Sequence, residues 1–342
     1  MGKLRFAVAG TGFWANYQIP AWFELDEVEL VAVCDRALSK AEQCATKFHV
    51  PRAYDNFDEL LAKEKIDFID IITDVGTHEE FTSRAAAAGV NVICQKPMAS
   101  TLAAAERMVD TCKLHGVSFS IHENWRWQAP IRMLKTLLDK GIIGNPFKGR
   151  VSFCSAFPVF ENQPFLAELD QFILSDIGSH ILDVCRFLFG EATSLICHTA
   201  RVNPGIKGED VANVLMKMEN GVSCYAEMSY ASIFSHEPFP ETFISIEGEN
   251  GSLHLSKDFQ IEIATRQGSK TMKVNPKSYA WADPEYALVH SSIVDCNRNI
   301  LAGLQGTGRC ETSGSDNFQT VRLVHASYAS ASAGRAIDLK SF

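Results

Sequence analysis

The sequence predicts an α/β fold: a doubly wound parallel sheet at the N-terminus, then an α+β domain with a large, mainly antiparallel open sheet. Three observations carry this. Apolar strand-like runs alternate with helix-like segments up to about residue 121. A glycine turn, Gly10-Thr11-Gly12, follows the first run directly. Beyond residue 190 strand-like runs succeed one another with no helices between them. Alternation specifies βαβ units and parallel pairing, and uninterrupted strands specify antiparallel pairing.

The elements follow in order. KLRFAVA (3–9) is the first strand, and a helical segment runs from the glycine turn to about Leu25, with Pro20 as an expected bend or break. VELVAVC (28–34) is a strand closed by Asp35, and ALSKAEQCATKF (37–48) is an amphipathic helix. DFIDIIT (67–73) is the third strand. THEEFTSRAAAAG (77–89) is a helix with Thr77 as N-cap and Gly89 as stop. VNVIC (90–94), a helix over 100–116 and VSFSI (117–121) complete the first domain, residues 1–121.

The second domain, 122–342, opens with a helix, APIRMLKTLLDKG (129–141), a strand, GRVSFCSAF (149–157), and a helix, SDIGSHILDVCRFLFG (175–190). Strands are expected over 193–202, 211–219, 222–231, 243–248, 251–256 and 259–265, with Glu-Asn-Gly turns at 219–221 and 249–251. The tail, 316–334, reads as a helix that packs back on the first domain.

The chain has 342 residues, 46% hydrophobic and 21% charged, which suits roughly two soluble domains with sizeable cores. No run approaches the about 18 apolar residues of a membrane span, and no leader pattern precedes the first strand, so a cytoplasmic protein is expected. With a net charge of −9 and no Lys/Arg block, nucleic acid is not an expected partner. The ten cysteines are widely spaced and form no CxxC pair, which points to buried thiols rather than disulfides or zinc.

Gly10-Thr11-Gly12-Phe13-Trp14-Ala15 fits G-x-G-x-x-[G/A] between a strand and a helix. The first glycine permits the tight turn, the second admits a pyrophosphate to the backbone, and Ala15 keeps the helix close to the sheet. The pattern is that of a Rossmann nucleotide site. Asp35 at the end of the second strand would bond the adenosine ribose and repel a 2′-phosphate, favouring NAD over NADP; the adjoining Arg36 argues partly the other way.

In VICQKPMA (92–99), a lysine stands where a buried strand ends, between Gln95 and Pro97. In the second domain, Asp176 and His180 at i and i+4 share one helix face, and a carboxylate there can orient an imidazole that takes up a proton. Spacing alone leaves open an ordinary helix cap at Ser175/Asp176 beside a packed histidine.

GTGFWA, QKP, HENWRWQ (122–128) and DIGSHILD (176–183), in that order, resemble the Gfo/Idh/MocA oxidoreductases over essentially the whole chain. The resemblance implies hydride transfer between a nicotinamide and a sugar or polyol carbon. It makes Lys96 the lysine of an E-K-P motif before a cis proline, and Asp176 and His180 a D-x-x-x-H pair, all three catalytic and in contact with substrate. It adds Phe13, Trp14, Thr73, His78 and Gln95 to the cofactor-binding set of Gly10, Gly12, Asp35, Arg36 and Lys96. His78 is expected beside the nicotinamide ribose, although TDVGTH departs from the usual T-P-N-x-x-H. Asn124, Arg126, Trp127 and Gln163 are the remaining substrate-pocket candidates. Gln95 stands where many relatives carry glutamate, so a charge beside Lys96 is absent.

Within the resemblance, the QKP and HENWRWQ variants point to oxidation of an aldopentose such as D-apiose at C1 to its lactone. Oxidation of inositol or another polyol to a ketone is the alternative, and a non-catalytic NAD-binding regulator is the reading from a different class. No metal is called for. A homo-oligomer, dimer or tetramer, through the C-terminal sheet is the expected assembly.

Overall fold

The structure, a computed structural model, describes residues 2–342, the side chain of Asn162 excepted. The chain divides into two compact units. The first holds residues up to Asn124 with Ser278–Pro284 and His290–Val321, and the second holds Trp125–Lys277, Glu285–Val289 and Arg322–Phe342.

The first unit contains β1 (Leu4–Ala9), α1 (Ala15–Phe23), β2 (Val28–Cys34), α2 (Leu38–Phe48), β3 (Arg52–Tyr54), α3 (Phe57–Lys63), β4 (Phe68–Ile71), α4 (His78–Ala87), β5 (Asn91–Gln95), α5 (Leu102–Leu114) and β6 (Phe119–His122). Its strands form one six-stranded sheet in the order β3-β2-β1-β4-β5-β6, with every pairing parallel. The strands read as near-continuous apolar runs because helices cover both sheet faces. The order reverses direction on either side of β1, which is the switch point where open α/β sheets collect ligands.

The sequence pattern predicts no element over residues 52–63. That segment supplies β3 and α3, which begin with a three-residue strand and a helix capped by Asn56 Oδ1, accepting from the Glu59 N–H at 3.0 Å. Pro20 does not break α1. It lies inside a single helix, where its ring removes only the one N–H that would have reached back a turn. The buried side of α1 sets Trp22 against Phe6 and Phe68, which stack at 4.8 Å.

The second unit begins with α6 (Ala129–Asp139), β7 (Pro146–Cys154), α7 (Val159–Asn162) and α8 (Ile173–Phe189). There follow β8 (Ala192–Ala200), β9 (Val211–Met218), β10 (Ser223–Ser229), β11 (Phe243–Gly248), β12 (Gly251–Ser256), β13 (Gln260–Thr265) and β14 (Gly268–Lys273). The nine-stranded sheet runs β14-β13-β12-β11-β7-β10-β9-β8-β15, where β15 is Ile337–Asp338. All its pairings are antiparallel except β7 with β10. Strict alternation along β9, with Ala212, Val214, Met216 and Met218 buried, gives the sheet one apolar face, and α8 packs on that side against β7 and β10. Gly149 on β7 leaves room for Phe189 at the end of α8.

Two helices complete the chain: α9 (Ala287–Leu304), which the sequence reading did not assign, and α10 (Gly314–Ala333). Helix α9 does carry a helical spacing, Val289, Ile293, Cys296 and Ile300. Helix α8 begins at Ile173, two residues before the expected start, and Ser175 lies inside it.

Candidate active site

In the first unit the expected cofactor residues lie at the carboxyl edge of the parallel sheet. Gly10 follows β1 with φ +97°, and a Cβ there would stand 2.6 Å from the Ile72 carbonyl oxygen. Only glycine satisfies both constraints. A Cβ on Gly12 would meet nothing within 4 Å, so the loop is open on that side. No side chain caps the N-terminus of α1; the Asn16 and Tyr17 N–H groups bond the Phe13 and Trp14 carbonyls at 3.2 and 3.0 Å. These features fit a dinucleotide. Phe13 is exposed with its ring edge on Tyr17, while Trp14 packs against Tyr17 and His290.

Asp35 follows β2. Its Oδ2 accepts from the N–H and hydroxyl of Thr11 at 3.1 and 2.8 Å, and its Oδ1 accepts from the Ala37 N–H at 3.1 Å. Desolvation pushes this carboxyl up, but those hydrogen bonds outweigh it and hold it below the ordinary carboxylate value. Asp35 therefore braces the glycine loop as an anion. Arg36 beside it is exposed.

Two turns meet after β4 and β5. Thr73 and Thr77 bond through their hydroxyls at 2.7 Å. His78 begins α4 and is buried. The carbonyl oxygens of Pro97 and Met98 lie 3.1 and 3.3 Å from its Nδ1, and that of Thr73 lies 3.0 Å from its Nε2. Burial depresses the imidazole pKa despite the pull of those carbonyls. Both ring nitrogens thus face backbone carbonyls, with the one N–H of the neutral ring donating on one side, and His78 joins the turn after β4 to the QKP turn. The Lys96–Pro97 peptide is cis, and Lys96 is partly exposed.

Gln95, the last residue of β5, is buried. Its Oε1 accepts from the backbone N–H of Lys96 at 3.0 Å, and its Nε2 donates to Gln18 Oε1 at 2.5 Å. The side chain is used on the main chain of Lys96. Asn124, which ends the first unit, donates from Nδ2 to Ser292 Oγ at 2.8 Å.

In the second unit α8 carries Asp176 and His180. His180 is 4% exposed and stacks on Trp125 at 4.3 Å and 23°. Trp125 is held in turn by its indole N–H to Thr242 Oγ1 at 3.0 Å and by Phe153 edge-on at 6.0 Å. Sequence reading passed over Trp125. The signal was an aromatic residue directly after Asn124, but nothing local says what it faces.

Arg126 is paired within the second unit. Its Nε and Nη2 donate to Asp183 Oδ2 and Oδ1 at 2.7 and 2.6 Å, with both side chains buried. This bidentate pair ties the segment before α6 to the middle of α8. Trp127 is buried beneath the Arg132 guanidinium, 4.1 Å from its ring, and its indole nitrogen finds no hydrogen-bond partner. Gln163 follows α7 as its C-cap and is partly exposed. Among the described residues no group of three or more His, Cys, Asp or Glu side chains is disposed to hold a metal ion, and no helix is long and apolar enough to cross a membrane.

A glycine-loop Rossmann unit with a lysine at the end of β5, and a second unit presenting an Asp/His pair on α8, define the class as a dinucleotide-dependent oxidoreductase. The chain belongs to the GFO_IDH_MocA family: residues 4–123 match its "Oxidoreductase family, NAD-binding Rossmann fold" domain and residues 131–254 its C-terminal domain. It is 43% identical over 339 residues to D-apiose dehydrogenase of Paraburkholderia graminis, covering 99% of this chain and 90% of that one. It is 40% identical to D-apiose dehydrogenase of Rhizobium rhizogenes, covering 99% and 98%. Among solved structures, an oxidoreductase from Agrobacterium radiobacter in complex with NAD+, L-tartaric acid and magnesium is 39% identical with a TM-score of 0.97, covering 99% of each chain. Levoglucosan dehydrogenase, at 18% identity and a TM-score of 0.85, shares the fold.

Proposed function

We propose that this NAD-binding oxidoreductase is a sugar dehydrogenase that oxidises an aldopentose such as D-apiose at C1 to its lactone. The observation that carries the reading is identity of 43% and 40%, over 99% of the chain, to two enzymes named for D-apiose. Lys96 at the end of β5 and His180 on α8 agree with it.

Gly10, Gly12, Phe13 and Trp14 hold the pyrophosphate through the loop and the start of α1. Asp35 takes the adenosine ribose, with Arg36 solvent-exposed beside it, and Thr73, Gln95 and Lys96 border the nicotinamide end. NAD, when bound, supplies the hydride acceptor. Lys96 Nζ donates to the reacting oxygen and stabilises the negative charge that develops there. His180 accepts the hydroxyl proton, and Asp176, one turn earlier, orients its ring. Lys96 is the alternative proton acceptor. Of the substrate candidates, Trp127 backs the pocket with its ring, and Asn124 and Gln163 contribute polar side chains. Arg126 serves by holding α8. A homo-oligomer forms through the uncovered face of the nine-stranded sheet, where Leu215 is exposed.

The experiment is a panel of aldopentoses and polyols with NAD+ and NADP+, following reduced nicotinamide and identifying product. Turnover of D-apiose with lactone formation is the expected result. Ketone formation from inositol would replace this reading with a polyol dehydrogenase, and tight NAD+ binding without turnover would make the chain a regulator. Light scattering reads the assembly, a monomer being the result against it.

A further inference from the structure

Strand β4 carries a carboxylate in an otherwise apolar run, Phe68-Ile69-Asp70-Ile71. Asp70 has no exposed surface. Burying a carboxylate is costly unless donors replace its water. Here Gln18 Nε2 donates to Oδ1 and Oδ2 at 2.8 and 2.7 Å, and Trp22 Nε1 donates to Oδ2 at 2.8 Å. These donors are neutral and come from one face of α1, positions i and i+4. Cys94 on β5 is the other titratable group near Asp70, and burial, then the Asp70 charge, keeps its thiol protonated.

The direction of the bonds propagates outward. A carboxylate accepts only, so Gln18 must turn its NH2 toward Asp70 and its Oε1 away. That oxygen needs a donor, and Gln95 Nε2 supplies one at 2.5 Å. The same Nε2 lies 3.4 Å from His122 Nδ1, while His122 Nε2 lies 2.9 Å from Asn297 Oδ1. With its NH2 so committed, Gln95 presents Oε1 to the backbone N–H of Lys96. A carboxylate at position 95 would face the Gln18 oxygen with no proton to offer. An anionic residue 70 and an anionic residue 95 therefore exclude each other.

We propose that Asp70 and Gln18 are positioning residues for Lys96, acting through Gln95, and that the buried charge at 70 is what requires an amide at 95. This rests on the assignment of Lys96 to the reaction. The glutamine of QKP is then not a vacancy left by a lost glutamate. It is the amide link in a chain whose carboxylate sits one strand over, on β4.

The test compares wild type, Gln95→Glu, Asp70→Asn and the double variant by thermal unfolding, NAD+ affinity and kcat. Gln95→Glu is expected to lose at least about tenfold in kcat and to unfold earlier. Adding Asp70→Asn should restore most of both, and whatever NAD+ affinity Gln95→Glu loses should return with them. Asp70→Asn should not rescue Gln95→Met, which removes the amide without adding charge. Equal losses for Gln95→Glu and the double variant, in rate and in unfolding temperature, would overturn the proposal, as would equal rescue of the Met variant. If Gln95→Glu is insoluble, recovery of folded protein by Asp70→Asn reads the same coupling, and no recovery counts against it. Lys96→Met in the wild-type background separates the two ideas. If that variant keeps its rate, the Lys96 assignment fails while the unfolding rescue still reports on the link between 70 and 95.

Discussion

Trp125 and His180 lie ring on ring, 4.3 Å apart and 23° from parallel, the indole anchored by Thr242 and Phe153. The stack limits the rotamers open to the imidazole and so fixes where its nitrogens point. Aromatic pairs of this kind contribute about 0.5–1.5 kcal/mol beyond their buried area. Trp125→Leu is expected to lower kcat/KM by about three- to tenfold. Trp125→Phe, which keeps a ring and loses the Thr242 bond, should stay within about threefold. Steady-state kinetics on the folded variants decides it. Equal losses in both would assign the effect to Thr242 rather than to the stack.

Lys96→Met should reduce kcat by at least about a hundredfold, the scale of removing one donor to a developing oxyanion. NAD+ affinity, read by fluorescence titration, should change little, because the glycine loop and Asp35 hold the other end of the cofactor.

Arg126→Ala removes the bidentate partner of the buried Asp183, and Arg186, 3.9 Å away, is already engaged by Glu191. Breaking a buried pair from one side costs about 3–5 kcal/mol. The melting temperature should fall by on the order of 10 °C. A kinetic defect without that loss would instead place Arg126 at the substrate.

Burial raises the Asp70 carboxyl to about 6, against the pull of Trp22 and Gln18. The folded state therefore binds a proton that the unfolded state, titrating near 4, has released. Stability from this group falls as pH rises from about 4 to about 6, by on the order of 3 kcal/mol. Urea unfolding across that range should show the slope in wild type and its absence in Asp70→Asn.

Hydrogen bonds keep Asp35 ionised below the ordinary carboxylate range. NAD+ affinity should therefore stay flat from about pH 8 to about pH 5. Asp35→Ser should weaken NAD+ by about tenfold or more and narrow the gap to NADP+, since a ribose acceptor and a phosphate-repelling charge go together. Titration of both cofactors measures the ratio.

The sheet, its parallel pairing and the glycine loop were legible because each depends on short-range pattern: apolar runs, helical spacing and a glycine at a left-handed turn. β3 and α3 escaped because three strand residues and a seven-residue helix carry too little periodicity. Asp70 was visible as a charge inside an apolar strand, and Gln18 and Trp22 as helix neighbours, yet no local signal joined them. Gln95 and Gln18 are 77 residues apart in sequence. The pairing of Arg126 with Asp183 was not legible either, because the two are 57 residues apart in sequence.

By itself, then, the sequence determined the class: a nucleotide-binding parallel sheet, a lysine delivered to its carboxyl edge, and an Asp/His pair on one helix face. These follow from backbone geometry and side-chain periodicity, which act over a few residues. Tertiary structure decided how the polar side chains are spent. It committed Gln95 to Gln18 and the Lys96 backbone, His78 to three carbonyls, and Arg126 to Asp183. A buried donor or acceptor must find a partner wherever the fold brings one, and that partner is set by the packing of distant segments.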